Sequence, residues 1–275
     1  MRWWRHPSLL VGGCLAGALV LVALVALVWT PFDPAQMAMG RRLQGPSAAH
    51  WLGTDPFGRD VLSKLMRGAV NSLRVGLLAV GLGLAAGVAL GALAAARAGS
   101  LLDEAVMRTA DFTFAFPAVL TAIMITALAG PGALNAILAI AIFNVPVFAR
   151  LARGAALQVW SRDFVLAARA AGLTGLAITT RHVVPNIAGL VVVQATIQFA
   201  LAILAEAGLS YLGLGTQPPE PSWGRMLNEA QTFLQTQPLL AVFPGVAIAA
   251  AVLGFNLLGD GLRDLIDPKS RRART

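Results

Sequence analysis

Between Asp111 and Arg150 the chain runs 38 residues without a charged side chain. A helix crosses the hydrocarbon core of a bilayer with roughly 20 apolar residues, so this stretch is too long for one crossing and too apolar for water. Gly130-Pro131-Gly132 interrupts it. Two glycines and a proline end a helix and permit a tight reversal, which predicts paired spans over 112–129 and 133–148. The other apolar runs give spans over 9–29, 75–96, 187–209 and 239–258. Six spans make an all-α polytopic membrane protein. Only 12% of residues are charged, about half the usual share, which excludes a water-soluble domain. One tyrosine and few aromatic-alternating segments argue against an outer-membrane barrel.

Arg2 and Arg5 precede the first apolar run as in a signal peptide, but the uncharged stretch 7–32 exceeds the usual apolar region of about 7–15 residues. No small-x-small cleavage site follows near Thr30-Pro31, so a retained first span is expected. Cys14, the single cysteine, lies within it and reads as a small apolar residue. One cysteine forms no disulfide framework or cysteine metal site within the chain.

The net charge of +8 could suggest nucleic acid, yet the basic residues gather in connections and tails, as membrane topology requires. With the N-terminus in the cytoplasm, 14 of the 21 Lys and Arg fall inside, and six of the others share one outer loop. The bias predicts N- and C-termini both cytoplasmic. The chain then divides into a first helix with an extracytoplasmic loop (1–74), a five-helix core (75–268) and a basic cytoplasmic tail (269–275). The core carries a cytoplasmic loop at 161–186 and an extracytoplasmic one at 213–238. In the outer segments, His50 to Asp60 reads as a turn leading into a helix near Asp60. Pro218-Pro219-Glu220-Pro221 reads as an extended linker before a helix over 225–234. Such structured loops bind or plug something, or else pack inertly with Trp51 and Trp223 at headgroup level.

The segment 164–186 is too charged to cross a bilayer and too apolar for a plain solvated loop. Ser161 can cap a helix with Asp163 in its first turn. Ala167, Ala168, Ala170 and Ala171 keep its surface small, and Gly172 can end it in the left-handed conformation. Thr174 can cap a second short helix that Pro185-Asn186 ends. A short helix clamped between two spans transmits a push as a rigid body; an amphipathic interfacial helix fits the same residues.

This stretch resembles the EAA loop of bacterial ABC importer permeases, Glu-Ala-Ala followed four residues later by Gly. Leu166-Ala167-Ala168 and Gly172 hold the spacing, and His182-Val183-Val184-Pro185-Asn186 closes it. HWLGTDPFGRDVLSKLMRGAVNSLRVG, ILAEAGLSYLGLG, PPEPSWGRML and FNLLGDGLRDLIDP are similar to the dipeptide, oligopeptide and nickel permeases over nearly the whole chain. Leu166 departs from the family's usual glutamate. The resemblance implies a type I ABC importer permease in the bacterial inner membrane. It also implies ATPase coupling through Phe164, Leu166, Ala167, Ala168, Arg169, Ala171 and Gly172. Implied partners are a homologous second permease subunit, two ATPase subunits or a fused pair, an extracytoplasmic substrate-binding protein and the lipid bilayer.

The chain itself offers no nucleotide site, since neither Lys64 nor Lys269 follows the glycine a P-loop requires. ATP and Mg are therefore expected on the partner ATPases, with no cofactor here. His6, His50 and His182 lack metal-ligand spacing, and no nucleophile or carboxylate arrangement points to an enzyme. Polar groups within spans are costly in lipid and mark a substrate path: Asn144, Gln194, Gln198, Glu206 and Asn256. Gln194 and Gln198 share a helix face, with Glu206 roughly on the same side. Hydrogen bonds that glue the bundle are the alternative. A secondary transporter would need ion-coupling carboxylates at mid-membrane, where this chain offers only Glu206 near an outer end. A structural or assembly subunit would not need the EAA-like loop.

Overall fold

The computed structural model describes residues 7–266. Arg2, Arg5, His6 and the basic tail 269–275 lie outside the described residues. Among those described, the fold is helical, with a single isolated bridge between Thr54 and Asp60. The helices are α1 (Pro7–Val28), α2 (Val61–Ala96), α3 (Leu101–Phe114), α4 (Ala118–Ala129), α5 (Ala133–Trp160), α6 (Asp163–Ala170), α7 (Gly175–Ile178), α8 (Val184–Tyr211), α9 (Trp223–Ala230) and α10 (Leu239–Ile266).

Five long elements are apolar enough to cross a membrane, and the bent pair α3–α4 makes a sixth when taken as one span. The expected first span stands. The second does not start at Val75: α2 is one helix of 36 residues from Val61. No proline interrupts residues 61–74, and Asp60 caps the helix by accepting the Ser63 N–H at 2.8 Å. At about 1.5 Å per residue such a helix is about 54 Å long, against a hydrocarbon core of about 30 Å. The outer loop is thus built partly from the span itself.

The third span also differs from expectation. Helix begins at Leu101, where Ser100 accepts the Asp103 N–H, and breaks at Phe116-Pro117 with an 89° bend. Pro117 has no N–H to donate and disfavours helical geometry at Phe116. Beyond it the Gly130-Pro131-Gly132 reversal occurs as expected, with Gly130 at φ +95°. The next helix, α5, overruns Phe148 to Trp160, because Arg150 and Arg153 find partners on α3. Arg153 grips Asp103 through two hydrogen bonds of 2.5 and 2.8 Å, and Arg150 pairs with Asp111. Pro185 does not stop a helix. It is the second residue of α8 and directly follows a π-turn over Thr179–Val183 that joins α7 to α8, where the regular ladder its missing N–H would interrupt is already altered. Residues Gly175–Tyr211 therefore form one unbroken element.

In the bundle α2 lies along α5, and α1 along α10. Close approach of α2 to α5 depends on Gly83, Gly87 and Gly91, four residues apart on one face. A Cβ at Gly83 would meet the Asn144 Cβ at 2.3 Å, and one at Gly87 the Val145 carbonyl at 2.5 Å. Small residues are what let membrane helices pack by van der Waals contact. Gly87→Leu is expected to destabilise the chain by at least about 1–3 kcal/mol through overpacking, read as a lowered unfolding midpoint in detergent. Gly81→Leu, whose Cβ meets nothing within 4 Å, should leave that midpoint unchanged.

Candidate functional site

At one end of the bundle, α6 hangs below α5 and beside α7. Ser161 does not cap it; its hydroxyl donates to the Gln158 carbonyl at 3.0 Å, and Arg162 takes the capping position without a side-chain bond. The other local expectations hold. Gly172 ends the segment at φ +85°, and Thr174 accepts the Ala177 N–H at 3.3 Å to start α7. Val165, only 1% exposed, seats α6 in a small apolar cluster with Ala95, Ala156, Ile178 and Val183. Ala168 packs against the same cluster, so it faces the bundle rather than water. Phe164 (46% exposed), Leu166 (52%), Ala167, Arg169, Ala171 and Gly172 face outward. The Phe164 ring lies edge-on to His182 at 6.3 Å.

Midway along the bundle a cavity of about 580 Å³ opens between the α3–α4 elbow, α5 and α8. Its lining is apolar, with Phe114, Phe116, Phe143 and Leu201 among its walls, except for Asn144 and Gln198. Two of the expected path residues, Asn144 and Gln198, line it, and Gln194 adjoins them. Gln198 donates to the Asn144 Oδ1 at 2.7 Å, Gln194 donates to Gln198 at 3.4 Å, and Asn144 donates to the Ile140 carbonyl at 3.0 Å.

Glu206 does not join them. Eight residues turn a helix by about 80° away from Gln198, and Glu206 is fully buried on the side facing α2. Ser210, Ser72 and Thr216 hydroxyls donate to its carboxylate at 2.7, 3.3 and 3.3 Å. Asn256 is half-buried on α10 and does not line the cavity. The elbow aromatics were missed in the sequence; Pro117 inside an apolar run was the available signal.

At the opposite end, the turn before α2 is clamped to α9 by buried ions. Asp55 accepts from Arg59 Nε at 2.6 Å and Lys64 Nζ at 2.7 Å, and Glu229 accepts from Arg59 Nη2 and the same Lys64, both at 2.7 Å. Next to them His50 Nδ1 meets Asp60 at 2.9 Å. Trp223 is not at a headgroup surface: it is 1% exposed, and its indole N–H donates to the Leu65 carbonyl at 3.0 Å. Trp51, in contrast, is exposed. This network was invisible to the sequence because Glu229 lies far along the chain from Asp55.

The sequence model of a family described as the binding-protein-dependent transport system inner membrane component matches residues 87–272. Over 267 residues the chain is 44% identical to the dipeptide transport system permease protein DppC of Alkalihalophilus pseudofirmus, covering 97% of this chain and 88% of that protein. It is 41% identical over 269 residues to the glutathione transport system permease protein GsiD of Pectobacterium atrosepticum, covering 98% and 89%. A solved structure of the MetNI methionine ABC transporter, in an inward-facing conformation, shares the fold. Its TM-score is 0.61 at 19% identity, covering 74% of this chain and 96% of the other.

Burial alone would raise the Asp55 pKa, but the charge and hydrogen bond of Lys64, with Arg59 beside it, outweigh burial and hold the carboxyl below its usual 3.8. A pKa depressed by folding contributes stability that is complete above the unfolded value of about 3.9 and lost as pH falls through the folded one. Amide exchange of residues 53–61 should therefore stay slow from pH 7 to about 5, and accelerate only below about pH 4. Asp55→Asn breaks a buried pair and should speed that exchange at neutral pH by an opening cost lowered about 3–5 kcal/mol.

Proposed function

The chain belongs to the family of inner membrane components of binding-protein-dependent transport systems, and we propose that it imports a peptide or a related small solute by alternating access. It is a permease subunit of an ABC importer. In the proposed assembly it pairs with a homologous permease subunit. Hydrolysis of ATP with Mg takes place on two partner ATPases or a fused pair, and the solute arrives on an extracytoplasmic binding protein. Both termini and α6 face the cytoplasm in this reading; the ion-clamped turn and α9 face outside, toward the binding protein. Dipeptide and glutathione, the solutes named for the two relatives, bound the substrate class.

One observation carries the coupling part of the proposal. The segment α6 presents Phe164 and Leu166 outward while Val165 and Ala168 are seated on the cluster that contains Ile178 and Val183. Those two residues belong to the unbroken element that continues to Gln198 at the cavity. A partner that moves α6 therefore moves the wall of the cavity. Motion of this kind needs a nucleotide state that binds the two conformations differently. A proton- or sodium-driven transporter is disfavoured by Glu206, whose carboxylate is enclosed by three hydroxyl donors instead of facing the cavity.

Leu166 stands where the resembling family has glutamate, so the contact it makes is apolar. Phe164→Ala should weaken retention of the ATPase subunits by more than about tenfold, as loss of an aromatic anchor does, measured by co-purification and by binding-protein-stimulated ATP hydrolysis. Leu166→Glu should leave the subunits assembled. Wild-type retention and coupling in Phe164→Ala would contradict the docking role.

A further inference from the structure

We infer that the mid-bundle cavity takes an apolar side chain and the adjoining peptide group of a translocating peptide, with Gln198 and Asn144 as its hydrogen-bonding residues. This rests on the import reading above and narrows it. Two independent features converge on the same space. The third span breaks at Phe116-Pro117 and turns by 89°, and its elbow forms one wall of the cavity. Backbone freed from helical hydrogen bonding at membrane depth is tolerated only where it is buried in protein or lines a cavity; broken spans build solute sites in other transporters.

The second feature is the pair of amides. Asn144 is 4% exposed and Gln198 9%, yet both line the cavity. Gly83 pins Asn144 from behind, since a Cβ there would lie 2.3 Å from the Asn144 Cβ. In front, Gln198 uses one N–H on Asn144 at 2.7 Å, while its oxygen receives only the 3.4 Å contact from Gln194. A side-chain amide offers two N–H donors and an oxygen with two acceptor sites. Gln198 therefore retains one donor and acceptor capacity, which is the complement of a peptide C=O and N–H.

The remaining chemistry sets the ligand class. Among the described residues no ionisable side chain lines this wall, and Phe116, Phe143, Val147 and Leu201 line it beside the amides. An unpaired carboxylate or ammonium cannot be desolvated against such a surface without large cost, so the charged ends of a peptide stay outside while a neutral side chain enters. The volume of about 580 Å³ falls within the range of about 300–1,000 Å³ typical of small-molecule sites. Glutathione, with two carboxylates, fits this wall less well than a dipeptide with aliphatic side chains.

The test uses the complete importer, with its second permease subunit, ATPases and binding protein, in proteoliposomes supplied with Leu-Leu, Gly-Gly or glutathione. Gly208 lines the cavity at an exposed position, and its Cβ would meet nothing within 4 Å, so Gly208→Phe narrows the cavity from its rim without displacing backbone. Gly208→Phe is expected to lower Leu-Leu uptake by at least about tenfold and to change Gly-Gly uptake by less than about twofold. Gln198→Leu is expected to lower uptake of both dipeptides by at least about tenfold while ATPase co-purification is unchanged. Wild-type uptake in Gln198→Leu together with an unchanged Leu-Leu to Gly-Gly ratio in Gly208→Phe would overturn the assignment. Loss of the second permease subunit from Gly208→Phe would also overturn it, by showing that this subunit fills the recess. A wild-type importer that hydrolyses ATP but accumulates no peptide would sink the import reading itself, a separate result.

Discussion

The coupling proposed for α6 depends on how Val165 is seated. It is almost wholly buried among Ala95, Ala156, Ile178 and Val183, contributed by the end of α2, the end of α5 and the start of the α7–α8 element. Burying such a side chain contributes about 1.5–3 kcal/mol, modest for a whole bundle but concentrated on a helix of eight residues. Without that contact α6 would be a tethered loop. With it, α6 is seated against three long helical elements, α2, α5 and α7–α8. The π-turn at Thr179–Val183 matters for the same reason. It inserts an extra residue without ending the helix, so the apolar cluster and the cavity wall lie on one continuous element.

The bilayer sets the remaining terms. Helices in lipid gain little by hiding apolar surface from one another, so association rests on close packing and on polar contacts. Along α2 the glycines at 83, 87 and 91 bring backbone against α5. Polar groups follow two different rules. Asn144 and Gln198 are bonded to each other at a cavity, whereas Glu206 is sealed by hydroxyls between α8 and its neighbours. The first arrangement leaves bonding capacity open to a visitor; the second leaves the carboxylate in contact with its own protein.

The sequence made the apolar spans legible because twenty uncharged residues have few alternatives in water or lipid. It misjudged their ends. The helix expected near Asp60 proved continuous with the second span, and Arg150 and Pro185, read as outside helices or ending one, proved compatible with helix: a charge with a partner on α3, and a proline directly after a π-turn. Gln194, Gln198 and Asn144 were legible as polar residues in spans, and the first two as one face. That Asn144 comes from a different helix to meet them depended on packing. The ionic clamp was not legible at all, since Asp55 and Glu229 are joined only by folding. Ala168 was grouped with the ATPase-coupling residues by resemblance; helical geometry places it three residues from Val165, packed against the apolar cluster.

The central claim is that α7 and α8 act as one rod between α6 and the cavity. Spin labels at Leu176 and Leu204, exposed residues near its two ends, report the length of that rod in the assembled importer. Labels at Leu204 and Val119, which line the cavity from α8 and α4, report its width. On ATP binding the first distance is predicted to stay fixed while the second changes. A first distance that shifts with nucleotide while the second holds would show a hinge inside the element and contradict the account.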